Sequence, residues 1–214
     1  MTDRKFEWLG HIFEILTQLD PYFIGAYHFG GITLAWDAHE PYSAIALLRK
    51  GTRANPLNWQ LPFDIGFIHY TLLDNYDAAG YYFLIASKLP NAWSMVSRWS
   101  AFAYAKAGKV NVSRQIWIDL YNQTDNKALK ALIERNLAFL IAKEDMGILQ
   151  TAVQNYRKSQ GRYPTNLLEL LRKGYIKNLP KDPWGGSYVL KDSIVISPNL
   201  TKLRRQGFFA TPQK

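Results

Sequence analysis

The sequence predicts a mostly α-helical chain: an α-solenoid of about three helical hairpins with capping helices, then a small C-terminal α+β hairpin module. Three observations predict it. Small residues recur at fixed spacing, with Gly31, Gly66 and Ala101 separated by 35 positions and Ala44, Ala79 and Ser113 by 35 and 34. A bulky residue, Leu48, Phe83 or Trp117, follows each member of the second set four positions later. Near Met146 the sequence turns basic and rich in turn formers. A period of this length indicates stacked units, each unable to bury its own apolar face alone.

The elements follow in order. The opening MTDRKFEWLGHIFEIL places Phe6, Leu9, Phe13 and Leu16 three or four apart, so it reads as an amphipathic helix packed on the first unit. It lacks the apolar core and small-residue cleavage site of a signal peptide. Each unit then pairs two helices, with a small side chain from each at the crossing and a bulky one filling the space between units. Asn55-Pro56 and Leu89-Pro90 end helices, because proline disfavours a helical residue before it. Gly108 marks the turn inside the third unit. Lys127–Lys143 is the expected cap, with Ala128, Leu132, Leu137 and Ile141 near helical spacing.

The repeat domain is expected over residues 1–146 and the C-terminal module over 147–214. In the module, Leu149–Lys158 is a helix with Ala152, Val153 and Tyr156 on one side, ended by Gly161. Thr165 or Asn166 caps a second helix, Asn166–Lys173, which Gly174 stops. The run Pro180–Gly186 forms turns, and strands Ser187–Leu190 and Ser193–Ile196 join through Lys191-Asp192.

Residues 22–125 resemble the tetratricopeptide repeat family, most closely in WSAFAYAKAGKV and DNYDAAGYYFLIASKLP. They depart from it at Gly30, where a bulky residue is usual, and at Asp125, where the third unit would have proline; the turn of unit two carries an extra residue. The resemblance implies a solenoid that binds another protein or peptide, with the first helix of each unit lining a concave groove. Unit one then contributes Gly25, His28, Ile32 and Ala35; unit two Gln60, Phe63, Phe67 and Tyr70; unit three Met95, Arg98, Phe102 and Ala105. Such a groove is apolar and aromatic with one cation, so the expected partner is an apolar or amphipathic segment. Filling of the groove by the N-terminal helix or the basic module is the alternative.

Gly161, Tyr163, Pro164, Thr165, Leu167, Leu168, Leu171, Asp182, Pro183, Trp184, Gly185 and Tyr188 resemble the C-terminal part of type II secretion major pseudopilins over residues 148–196. The resemblance implies a pilin-like local fold and a chain facing the periplasm. Trp184 would cover the helix, and Asp182 would accept backbone N–H groups in the turn. The family's long apolar N-terminal helix is replaced here by repeats, and its calcium loop has no counterpart. Filament assembly and calcium are therefore not carried over.

Composition limits the remaining chemistry. Of the net charge of +9, residues 143–214 supply +8, from 13 basic and 5 acidic residues. That asymmetry suits nucleic acid, an anionic surface or an acidic protein. The basic residues are scattered, with Lys202, Arg204 and Arg205 the one tight cluster, and no nucleic-acid-binding motif is present. The chain has no cysteine, which excludes disulfides and thiolate chemistry. It has no stretch of 18 apolar residues that would span a bilayer, so a membrane contact is expected only through a segment outside this chain, such as a removed anchor. No hydrolase elbow, phosphate loop, dinucleotide fingerprint or zinc motif occurs. His11, His28, His39 and His69 show no metal-ligand spacing, and Glu144-Asp145 reads as a solvated helix end.

The sequence thus predicts a protein-interaction scaffold that is not an enzyme and needs no cofactor, metal or small-molecule substrate. Its expected setting is a bacterial envelope, secretion or pilus-related assembly, periplasmic or anchored facing the periplasm. The rivals are a cytoplasmic adaptor or chaperone whose tail caps the solenoid, and a basic nucleic-acid-binding protein.

Overall fold

The computed structural model describes residues 3–205, with side chains from 8 to 203; Phe6 and the arginines of the basic cluster lie outside the described side chains. The chain divides into two compact units, Met1–Thr124 and Asp125–Lys214.

The first unit is helical. Helix α1 (Asp3–Leu19) precedes α2 (Ile24–Ile32), which continues as a π-helical stretch over Thr33–Asp37. Then come α3 (Pro41–Ala54), α4 (Gln60–Thr71), α5 (Tyr76–Ser87), α6 (Met95–Lys106) and α7 (Val110–Gln123). Each helix packs on the next along the chain. Helices α3 and α5 stop before Pro56 and Pro90, as the sequence predicts.

The crossings follow the recurrence. An added β-carbon at Gly31 would sit 2.8 Å from Cγ of Leu48, and one at Gly66 would sit 2.8 Å from Cδ1 of Phe83. The bulky residue of each of these units thus sits at the crossing inside its own pair, against the small residue of the first helix, whereas the spacing predicts it between units. In the third pair Ala101 and Ser113 are fully buried, and Trp117 is buried below the edge of Phe102, with ring centroids 5.1 Å apart. Close approach recurs within the first pair and between successive pairs: a β-carbon on Gly51 would meet the Tyr27 ring at 2.6 Å, and one on Gly80 would meet the Tyr104 ring at 2.9 Å.

A second recurrence lies in the backbone. The turn between the two helices of each pair contains a left-handed residue: His39 (φ 58°), Asp74 (φ 49°) and Gly108 (φ 79°). The next residue's amide closes the turn in each case. Glu40 N–H donates to Leu34 O at 2.8 Å, Asn75 to His69 O at 3.0 Å and Lys109 to Tyr104 O at 2.9 Å. The three acceptors stand three residues after Gly31, Gly66 and Ala101, so side-chain spacing and backbone conformation share one period. The third bond spans five residues, the spacing of a Schellman helix end, while the first two span six, one residue wider.

Helix α1 buries Phe13 and Thr17, while Leu16 is exposed. The buried face is therefore rotated from the expected stripe. The cause is polar: Thr17 Oγ1 accepts from Lys50 Nζ at 2.9 Å, which fixes that residue inward.

The second unit begins with one long helix, α8 (Lys127–Gln160). The expected cap and the expected module helix are thus one continuous element, and Met146 lies inside it. Gly161 ends α8 in the left-handed conformation at φ 70°. Helix α9 (Leu167–Arg172) is capped by Asn166, whose side chain accepts from Glu169 N–H at 3.1 Å. Leu167 and Leu170 are its buried face, while Leu168 and Leu171 are exposed. Strands β1 (Val189–Lys191) and β2 (Ile194–Ile196) pair antiparallel with Lys191 opposite Ile194, and α10 (Pro198–Arg205) follows.

The hairpin loop is Asp192-Ser193, one residue later than expected. Both residues have positive φ, 49° and 67°, the pattern of the two-residue turn whose twist matches a hairpin. Asp145, expected to be solvated, accepts instead from the Tyr188 hydroxyl at 2.9 Å in mid-helix.

Candidate functional site

The expected groove residues fall on α2, α4 and α6. His28, Ile32, Gln60, Met95 and Phe102 are exposed, while Phe63, Phe67, Tyr70 and Arg98 are half-buried. Ala35 is different: it is buried in the core. The π-helical stretch carries more residues per turn than an α-helix, so the count of four after Gly31 points inward and the groove position passes to Trp36.

Trp36 completes an aromatic row. Its ring centroid lies 5.8 Å from Phe67. Phe67 stacks nearly parallel on Phe63 at 6.1 Å and meets Trp99 edge-on at 6.1 Å. Tyr70 meets the same Trp99 at 5.6 Å. The row therefore ties the end of α2, the length of α4 and the middle of α6. Ring pairs at these distances contribute about 1 kcal/mol each beyond the area they bury, so the row is both surface and support.

A cleft of about 280 Å³ opens on this row, lined by Gly31, Ile32, Trp36, Phe63, Asp64, Phe67 and Ile68. Asp64 is its one ionisable lining group. Its Oδ2 lies 2.5 Å from His28 Nδ1. Burial pushes the Asp64 carboxyl up to about 6, against the opposing pull of the His28 hydrogen bond. Asp64 stands two residues before Gly66, and Trp99 two residues before Ala101, so they hold equivalent places in successive units.

Sequence reasoning missed Trp36, Asp64 and Trp99. The groove positions borrowed from the resemblance stop three before the small residue and resume one after it. Position minus two is outside that set, and the π-helix hides Trp36 from any count based on a regular helix.

His28 is brought to this site. His69 is not: it is buried, stacked on Tyr82, and its charge is disfavoured by burial and by nearby Arg49. Among the described residues no cluster of three or more metal-ligating side chains occurs, and no helix is long and apolar enough to cross a membrane.

In the second unit, polar side chains hold the turns. Asp182 is buried; its Oδ1 accepts from Trp184 N–H at 3.0 Å, and its Oδ2 accepts from the Ser197 hydroxyl at 2.5 Å. Trp184 packs against the core made by α8, α9 and the hairpin, as expected for a residue covering the helix. Glu169 gathers Arg162 Nη2 and the Tyr156 hydroxyl at 2.5 Å and Thr165 N–H at 2.8 Å, which holds its carboxyl well below the usual range. Gln150 on α8 completes the edge of β2, donating to Ser193 O at 3.0 Å and accepting from Val195 N–H at 2.8 Å.

No curated protein matches the chain. Residues 138–195, the stretch running from mid-α8 through α9 and the hairpin to β2, match the family model of type II secretion system protein G.

Proposed function

We propose that this chain is a non-enzymatic protein-interaction scaffold of a bacterial envelope, secretion or pilus-type assembly. Its three helical pairs act as a tetratricopeptide-type solenoid, and its second unit is a pseudopilin-like module. The groove of α2, α4 and α6 receives an apolar or amphipathic segment of another protein.

The observation that supports this reading most is the aromatic row from Trp36 through Phe67 to Trp99, with the cleft beside it. Contiguous apolar surface of this kind, rimmed by polar groups, favours a binding role. The secretion setting rests on the match over residues 138–195. The proposed location is the periplasmic side of the envelope.

Site-specific photo-crosslinking in fractionated cells tests the reading. A crosslinker at Ile32 or Phe102, exposed on the first helices, should capture a partner from the envelope fraction; one at Tyr42 or Tyr81, exposed on the second helices, should not. Equal crosslinking from all four positions, or recovery of the chain in the cytosol alone, would overturn it.

A further inference from the structure

We propose that the cleft at Trp36, Phe67 and Asp64 seats the side chain of one lysine carried by an otherwise apolar partner segment. This deepens the groove reading above and rests on it.

The argument begins with charge. Asp64 is the only ionisable group among the cleft's lining residues, and the rest of the lining is aromatic or aliphatic. A carboxylate in apolar surroundings is costly unless an opposite charge or hydrogen bonds satisfy it. Only one of its oxygens is engaged: Oδ2 takes His28, while Oδ1 accepts no hydrogen bond among the described residues. An incoming cation therefore meets one open acceptor. That arrangement suits a compact ammonium better than a guanidinium, whose planar fork binds both oxygens of a carboxylate at once.

The walls fit the rest of a lysine. Its four methylenes are apolar and pack along aromatic surface while the charged head reaches a polar group. Trp36 and Phe67, 5.8 Å apart, supply two such surfaces, and their ring faces attract a cation at close range. The protein already makes this contact elsewhere, with Lys106 Nζ 4.0 Å from the Tyr76 ring centroid and 4.9 Å from that of Tyr70. An acidic or purely aliphatic segment would leave Asp64 opposed or unanswered.

The test uses two short, blocked, helical peptides of leucine, alanine and glutamine. One carries a single central lysine and the other norleucine in its place. Binding is read by the fluorescence of the groove tryptophans at low salt. The lysine peptide should bind about tenfold more tightly than the norleucine peptide. In Asp64→Asn, checked for unchanged circular dichroism, the two should bind alike. If the peptides bind wild type equally, or if the lysine preference survives in Asp64→Asn, the lysine seat is wrong and the groove stands. If neither peptide binds, the groove reading falls with it.

Discussion

Gly66 and Phe83 meet where α4 crosses α5: a β-carbon on Gly66 would lie 2.8 Å from the Phe83 ring and 3.2 Å from the Ala79 carbonyl oxygen. The carbonyl belongs to a packed helix and cannot move aside alone. Gly66→Ala gains about 1 kcal/mol of helix propensity but overpacks the crossing by about 1–3 kcal/mol. The net expectation is a loss of about 1 kcal/mol in urea unfolding. Gly147, in the middle of α8, is the control, since a β-carbon there meets nothing within 4 Å. Gly147→Ala should stabilise by up to about 1 kcal/mol. A stabilising Gly66→Ala would mean that the crossing is looser than described.

The left-handed turn residues make a second prediction. His39 and Asp74 adopt positive φ at places where the third pair has Gly108. A β-carbon disfavours that conformation, more for histidine than for aspartate, whose short polar side chain tolerates it. His39→Gly should therefore raise stability by about 0.5–1 kcal/mol, and Asp74→Gly by less. Gly108→Ala should lower it by about 1 kcal/mol. Thermal melts of the three variants, run together, check the order.

These two cases show how far the sequence is legible. Small residues at helix crossings are chemically constrained, so their recurrence is visible as residue type. The turns share a conformation that histidine, aspartate and glycine all reach, so their recurrence is invisible until the backbone is seen. The groove splits in the same way. Phe63, Phe67 and Tyr70 stand at positions that the resemblance implies for the groove, but Trp36 does not, because the π-helical stretch shifts it by one place. In α8 the composition changes where the backbone does not, so the shift near Met146 reads as a boundary inside what is one helix. The hairpin loop slipped by one residue for a related reason: Asp192-Ser193 carries no glycine or asparagine to announce it.

That hairpin is testable in turn. Its two-residue loop favours asparagine followed by glycine. Asp192→Asn with Ser193→Gly should stabilise the second unit by about 0.5–1 kcal/mol. Gln150→Leu should cost about 1–3 kcal/mol, because it leaves Ser193 O and Val195 N–H without their side-chain partner. Amide hydrogen exchange at Val195 reads the effect directly, and unchanged protection in Gln150→Leu would refute the pairing.

The aromatics of the proposed groove separate into support and surface. Phe67 touches Trp36, Phe63 and Trp99, so Phe67→Ala should cost about 2–4 kcal/mol of stability as well as partner binding. Phe102 is 43% exposed, and Phe102→Ala should cost about 1 kcal/mol or less while still weakening capture. Binding and melting of the two single variants resolve them. A large stability loss in Phe102→Ala would assign it to the core.

Asp64 predicts a pH dependence whose sign can be worked out. Its carboxyl titrates near 3.8 when unfolded and is pushed up to about 6 in the fold. Between those values the folded chain holds a proton that the unfolded chain releases, so stability falls as pH rises from about 4 to 6 and is level above. The charged form thus costs roughly 2–3 kcal/mol at neutral pH. His69 works in the opposite direction, since its charge is disfavoured in the fold and stability drops as it is forced to protonate. The difference between wild type and Asp64→Asn removes the His69 contribution. The variant should match wild type near pH about 4 and be roughly 2 kcal/mol more stable near pH about 7.5. Urea unfolding at the two pH values measures this, and a variant less stable than wild type at the higher pH would show that the His28 contact outweighs the burial of the charge.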